Sequence, residues 1–277
     1  MAEKTTGVLE VNGAKIAYEV AGEGRPVVFI HAGVADQRMW DDQFDLFAEK
    51  YRVVRYDTRG YGKTTSEAVE YSNRADLRAL LDHLGIDRAI LIGCSRGGQI
   101  ATDVTLESPE RVAALVTVGS GPGGYDIEQS PEEEARWAAL EQREEAYIAA
   151  GDYESVIQMD IEVWLAGFPR SVDDMPAPLV QRMVEMGRAN YSHADEGAKA
   201  IPLDPPGAGR LGEIRVPALI LWGDLDNAYI LRAAPALADG IRGSQRAIIH
   251  GTAHMPNMEK PEEFNRIVMT FIDSLPA

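Results

Sequence analysis

Short apolar runs alternate with longer amphipathic stretches along most of the chain. The runs Val27 to Ile30, Arg52 to Tyr56, Ala89 to Ile92, Val112 to Val118, Ala218 to Trp222 and Arg246 to Ile249 are mostly apolar and end at turn-forming residues. They predict strands covered on both faces, and the helical patterns between them predict a mostly parallel sheet with helices on both sides, an α/β architecture. Ahead of them, Val8 to Glu10 and Ala14 to Val20 flank Asn12-Gly13, a two-residue turn signal that predicts a hairpin. The rhythm stops between residue 123 and about residue 209, where amphipathic helices without strands are expected. Ser130-Pro131-Glu132-Glu133-Glu134 opens one of them with an N-cap, a proline at the first helical position and acids in the first turn. Met159, Trp164, Phe168, Met183 and Met186 recur through this segment, and Pro202, Pro205 and Pro206 mark the return to the sheet. Such large apolar residues serve either to seat helices on a core or to line a pocket beneath them. The organisation expected is one core domain built from residues 1–122 and 210–277, with residues 123–209 inserted as a helical cap.

Composition narrows the role of such a domain. At 277 residues and 45% hydrophobic content the chain is long enough for one large core. Its 44 acidic against 27 basic residues give a net charge of −17, which repels phosphate backbones and anionic membrane surfaces. No nucleic-acid or membrane partner is therefore expected, and the charge fits a monomer or small homo-oligomer. A single cysteine, Cys94, leaves no internal disulfide. Met1 to Gly7 lacks the apolar core of a signal peptide and no run approaches the length of a membrane span, so a cytoplasmic protein is expected.

The chemistry is concentrated in three places. Ala89-Ile90-Leu91-Ile92-Gly93-Cys94-Ser95-Arg96-Gly97-Gly98 is a strand breaking into a helix at a serine between glycines. A turn that sharp leaves no space for Cβ atoms two residues either side of its apex, which marks Ser95 as a nucleophile at a helix N-terminus. Cys94, next to it, is expected to point the other way, into the core. A serine needs a base, and of five histidines His254 has the right setting, in a loop after the late strand at Ala247 to Ile249. His83, His193 and His250 are expected to be packed or solvated. The base in turn needs a carboxylate, and Ala218 to Trp222 runs into Gly223-Asp224-Leu225-Asp226. Asp226 clears the strand end, whereas Asp224 is placed to hold the turn itself. The order Ser95, Asp226, His254 is that of α/β-hydrolases. An oxyanion hole is expected from the backbone N–H groups of Gly33, after the strand ending at His31-Ala32-Gly33, and Arg96.

At these residues the chain resembles the α/β-hydrolase superfamily, in its branch of capped, cofactor-free esterases and their relatives. His31-Ala32-Gly33 followed by Trp40 resembles the family's His-Gly-x loop, Asp57-Thr58-Arg59-Gly60-Tyr61-Gly62 its Asp-x-Arg-Gly-x-Gly turn, and His254 to Pro261 its His-x-x-x-x-Glu-x-Pro ending. Two positions depart from the pattern: Ala32 stands in place of the usual glycine, and Arg96 where a neutral residue is commoner. The resemblance implies a serine hydrolase, carboxylesterase-like, that cleaves carboxylic esters or related acyl compounds such as lactones and activated amides through an acyl-enzyme, with no cofactor and no metal. Its partner is then a small-molecule ester or acyl substrate, held in a pocket expected to include His31, Met159, Trp164 and Met255. The same triad also serves a cofactor-free lyase, a C–C hydrolase or a perhydrolase, and a receptor-like module could carry it as a relic. For Arg96, the side chain is expected either to pair with a carboxylate or to face the pocket and bind substrate.

Three further patterns point elsewhere and are set aside. His250 and His254 are spaced like zinc ligands, but the glutamate of a zinc-protease helix is missing and Gly251 opposes a helix there. Gly119 to Gly124 spells a dinucleotide fingerprint, but no helix opens within it. Gly62-Lys63-Thr64 resembles the end of a phosphate loop, but Asp57 stands where that loop needs glycine.

Overall fold

The computed structural model describes residues 3–193 and 197–276. The runs form β1 (Lys4–Val11), β2 (Ala14–Ala21), β3 (Pro26–Ile30), β4 (Arg52–Tyr56), β5 (Ala89–Cys94), β6 (Val112–Val118), β7 (Ala218–Gly223) and β8 (Gln245–Ile249). They stand in the order β1-β2-β4-β3-β5-β6-β7-β8, with Thr65–Ser66 added beside β2. The β1–β2 hairpin and the β2–β4 pair are antiparallel and the remaining neighbours from β4 to β8 are parallel. Asn12 and Gly13 take φ of 40° and 72°, the left-handed values a tight hairpin turn requires.

Side chains alternate across this sheet with period two. Val28, Ile30, Val54, Leu91 and Ile220 face helices α2 (Asn73–His83), α3 (Arg96–Glu107) and α7 (Ala228–Gly240). Phe29, Val53, Ile92, Val116 and Leu221 face α1 (Asp41–Ala48), the short α8 (Pro256–Glu259) and α9 (Pro261–Asp273). The parallel strands all end on one side, and there the loops after β3, β5, β7 and β8 converge.

Between β6 and β7 lie α4 (Pro131–Ala150), α5 (Tyr153–Asp160), a π-helical turn (Ile161–Ala166) and α6 (Ala177–Tyr191). The capping signal works as expected: Glu133 N–H donates to Ser130 Oγ at 3.3 Å and Ser130 N–H to Glu133 Oε2 at 2.8 Å. Helix α5, the π-helical turn and α6 are sunk into the sheet's apolar cluster through Ile157, Ile161, Leu165, Met183 and Met186, whereas α4 buries no residue. The segment is not wholly without strands. Lys199–Ala200 pairs with Glu70–Tyr71, a ladder too short to leave any periodicity in the sequence. No helix is long and apolar enough to cross a membrane among the described residues.

Candidate active site

Ser95 sits at φ 52° and ψ −118°, backbone that side-chain-bearing residues seldom occupy. The glycines around it make this possible. A Cβ at Gly93 would lie 2.1 Å from the Gly97 carbonyl oxygen, and one at Gly97 would lie 2.2 Å from the oxygen of Ile30. Ser95 N–H donates to Val118 O at 2.8 Å and its own carbonyl accepts from Ser120 Oγ at 2.8 Å, so the apex is tied to the end of β6 and to the loop that follows it. Cys94 points into the core as expected, wholly buried, and burial pushes its thiol up.

The two acids after β7 divide cleanly. Asp226 reaches His254 Nδ1 with both carboxylate oxygens, at 2.9 and 3.1 Å, and is itself fixed by the Asn227 N–H at 2.7 Å. Asp224 instead accepts from Gly251 N–H at 2.6 Å and pairs with His250 Nδ1 at 2.8 Å, holding the turn. The Asp226–His254 pair is almost fully shielded, with each side chain 2% exposed. With a carboxylate on Nδ1, that nitrogen carries the proton of the neutral ring and Nε2 presents a lone pair. Gly119 (φ 51°) makes room for the pair, since a Cβ there would come within 3.0 Å of His254 O and 3.3 Å of Asp226 Oδ2. The helical segment closes over it, with the Trp164 ring 4.7 Å from that of His254.

A second histidine shapes the loop after β3. His31 Nε2 accepts from Thr58 N–H at 3.0 Å, so the proton of the neutral ring is on Nδ1, which donates to Ala32 O at 2.8 Å. Burial holds this ring neutral by pushing its pKa down to about 4. In a trans peptide the N–H points opposite to the C=O, so pinning the Ala32 carbonyl also fixes the Gly33 N–H. Gly33 lines the cavity and lies against Arg96, whose Cδ would be 3.6 Å from a Cβ at Gly33. The Arg96 N–H is the first of α3 and has no carbonyl within the helix to bond.

The Arg96 guanidinium follows neither expectation. Its Nη1 donates to Thr58 Oγ1 at 2.7 Å, its Nη2 lies 3.4 Å from Asn73 Oδ1, and the group stacks 4.7 Å over the Tyr61 ring. It therefore braces the turn after β4, where a polar hydroxyl, an amide and a ring face take the place of a carboxylate.

Ser95, Gly33 and His254 open on a cavity of about 630 Å³, and Ser95 and His254 also border an adjoining lobe of about 310 Å³. Trp164 and Met159 line the larger space. His31 and Met255 do not: His31 is wholly buried by its bonds to Thr58 and Ala32, and Met255 is wholly buried in the sheet's apolar cluster. Of the other large apolar residues, Phe168 lies against Trp137 with centroids 5.8 Å apart. The remaining lining includes residues not anticipated from the sequence, namely Trp137, Glu141, Glu144, Tyr153, Asp160, Asn190, Tyr191 and His193. His193 was expected to be merely packed or solvated; its Nε2 lies 2.9 Å from the Gly62 carbonyl. A signal for α4 existed: Trp137, Leu140, Glu141, Glu144 and Ile148 recur at helical spacing on one face. Asp160 is 9% exposed and accepts from Tyr191 Oη at 3.2 Å, and burial pushes its carboxyl up to about 7. Among the described residues no group of three or more histidine, cysteine or acidic side chains is placed to hold a metal ion.

Residues 25–261 match the family model of the alpha/beta hydrolase fold. A 2-hydroxy-6-oxononadienedioate/2-hydroxy-6-oxononatrienedioate hydrolase of Klebsiella pneumoniae is 30% identical over 91% of this chain and 88% of its own length. Among solved structures, Est816, described as an N-acyl homoserine lactone degrading enzyme, is 27% identical, with a TM-score of 0.72 over 95% of this chain and 99% of that one. The enol-lactonase from Burkholderia xenovorans LB400 shares the fold at 22% identity, with a TM-score of 0.75 over 96% of this chain and 100% of that one.

Proposed function

The chain belongs to the alpha/beta hydrolase fold family, and we propose that it is a hydrolase in which Ser95, His254 and Asp226 break a bond beside a carbonyl carbon. The observation that carries this reading is the shielded Asp226–His254 pair sharing one cavity with a serine held in an otherwise unfavourable backbone conformation. Ser95 Oγ attacks the carbonyl carbon as His254 Nε2 takes its proton. Asp226 holds the ring and offsets its charge, and the Gly33 and Arg96 N–H groups receive the oxyanion. Collapse expels the leaving group, which takes the proton from His254. Water, activated by the same nitrogen, then releases the acid and restores the serine.

Which bond breaks is suggested by the relatives. The Klebsiella protein's named substrate is a keto acid with neither ester nor amide, so its hydrolysis must cut a carbon–carbon bond next to the ketone. That reading, with a stabilised carbanion as leaving group, is better supported than a simple carboxylesterase. Est816 favours a second reading, an ester or lactone hydrolase. The test is a panel of vinylogous diketones, lactones and p-nitrophenyl esters run beside Ser95→Ala. The diketones are expected to turn over fastest, and the variant to lose about three to six orders of magnitude in kcat on every active substrate. Absence of turnover on the whole panel, in wild type as in Ser95→Ala, would instead mark a binding module carrying an idle triad, and equal non-zero turnover would exclude Ser95 as the nucleophile.

A further inference from the structure

The catalytic cavity contains no lysine or arginine among its described lining residues, and three carboxylates. Glu141 and Glu144 come from α4, and Asp160 stands at the end of α5. Arginines of the helical segment are paired elsewhere: Arg170 with Glu259 at 2.7 Å and the carbonyls of Ala166 and Gly251, Arg188 with Glu154 at 2.7 Å, and Arg143 with Glu162 at 3.6 Å. The Arg96 guanidinium is turned away beneath Tyr61. Asp160 is the most buried of the three acids, and its hydrogen-bond partners, the Tyr191 phenol and the Trp164 indole, are both neutral. Aromatic rings line the same cavity: Tyr153 is stacked on Tyr191 with centroids 5.3 Å apart, and Trp137 stands 5.9 Å from Trp164.

Resting on the hydrolase reading above, we propose that this cavity selects an acyl substrate bearing a positively charged nitrogen and rejects dicarboxylates, with Asp160 as the main discriminating residue and Glu144 as a weaker one. A carboxyl in a poorly hydrated wall lacks a counter-charge, so burial disfavours its ionised form, and an ammonium group supplies the charge that restores it. Four aromatic rings add the faces on which alkylammonium groups settle. A second carboxylate on the substrate would meet like charge in the same wall, with no guanidinium or ammonium to receive it. The chain is thus similar to relatives named for a dioate while its wall suits the opposite charge.

The test separates this inference from the reaction itself. Ser95→Ala protein is titrated with phenyltrimethylammonium and with benzoate, two probes of similar shape and opposite charge, and followed by quenching of tryptophan fluorescence. The ammonium probe is expected to bind about tenfold or more tightly than benzoate, a difference that Asp160→Asn reduces to about threefold or less. Glu144→Gln, at a partly exposed position on α4, is expected to move the ratio the same way by a smaller factor, and it guards against a folding defect in the buried variant. In wild type, trimethylammonium-bearing p-nitrophenyl esters are expected to exceed carboxylate-bearing ones in kcat/KM by a similar factor. Benzoate binding as tightly as the ammonium probe would overturn the proposal, as would a preference unchanged in both variants. If no substrate turns over while the ammonium preference holds, the hydrolase reading fails and the charge selectivity stands.

Discussion

On the sheet side of the cavity the reactive groups stand on backbone with no room to shift. Gly93, Gly97 and Gly119 are each pressed against carbonyl oxygens, and Asp226, His254 and His31 have bonds that fix their rings or carboxylates. On the helical side, α4 presents Trp137, Glu141 and Glu144 from a helix that buries no residue. Chemistry needs groups held to a fraction of an ångström, and crowded glycine turns provide that. Selecting a substrate needs only the right charge and shape, which exposed helical side chains can supply and change at little cost to stability. Changes on the first side should therefore alter rate for every substrate, and changes on the second should alter preference among substrates.

The sharpest expected contrast lies between two acids two residues apart. Asp226→Asn is expected to lower kcat by about three to four orders of magnitude, because an amide at His254 Nδ1 favours the wrong tautomer. Asp224→Asn, which loosens the Gly251 turn and the exposed His250 pair, is expected to lower kcat by less than about tenfold. Steady-state kinetics on folded variants decides it, and a reversed order would place the working carboxylate at Asp224.

Much of the sheet side was legible in the sequence because its constraints are local. Gly-x-Ser-x-Gly after an apolar run, Gly-Asp-x-Asp after another and a histidine loop after a third each carry their geometry within a few residues. The cavity wall was not legible in the same way. Asp160, Tyr191 and His193 meet only when α5 and α6 fold over the sheet, and no spacing in the chain relates them. His31 and Met255 show the converse failure: adjacency to a catalytic loop suggested the pocket, but both side chains turn into the protein. The Arg96 side chain escaped both expectations because a hydroxyl, an amide and a ring face, none of them a carboxylate, hold the guanidinium away from the cavity.

A mid-sized effect is expected at His31, on stability. The folded protein keeps this ring neutral down to about pH 4, whereas an unfolded chain binds the proton near 6.5. Between those values the unfolded state binds more protons, so acidification removes stability, by about 3 kcal/mol over the window. His31→Gln is expected to lower Tm at pH 7, since Thr58 N–H loses its acceptor, and to make the fall between pH 6.5 and 4 shallower. Thermal melts at several pH values check this; equal slopes in both proteins would mean the ring is protonated in the fold.

The smallest effect is expected from Arg96→Met, which keeps the backbone N–H and most of the stem. Losing the brace on Thr58 and Tyr61 should reduce kcat/KM by less than about tenfold, and by the same factor for neutral, cationic and anionic substrates. A factor that depends on substrate charge would put the guanidinium on the selecting side of the comparison.

The claim that Ser95 is the nucleophile of this cavity is tested most directly by reaction with a p-nitrophenyl alkylphosphonate followed by peptide mass spectrometry. One adduct is expected, on Ser95, forming in step with loss of activity, absent in Ser95→Ala and formed at least about a hundredfold more slowly in His254→Gln. An adduct on any other residue, or full inactivation with Ser95 unmodified, would contradict the account.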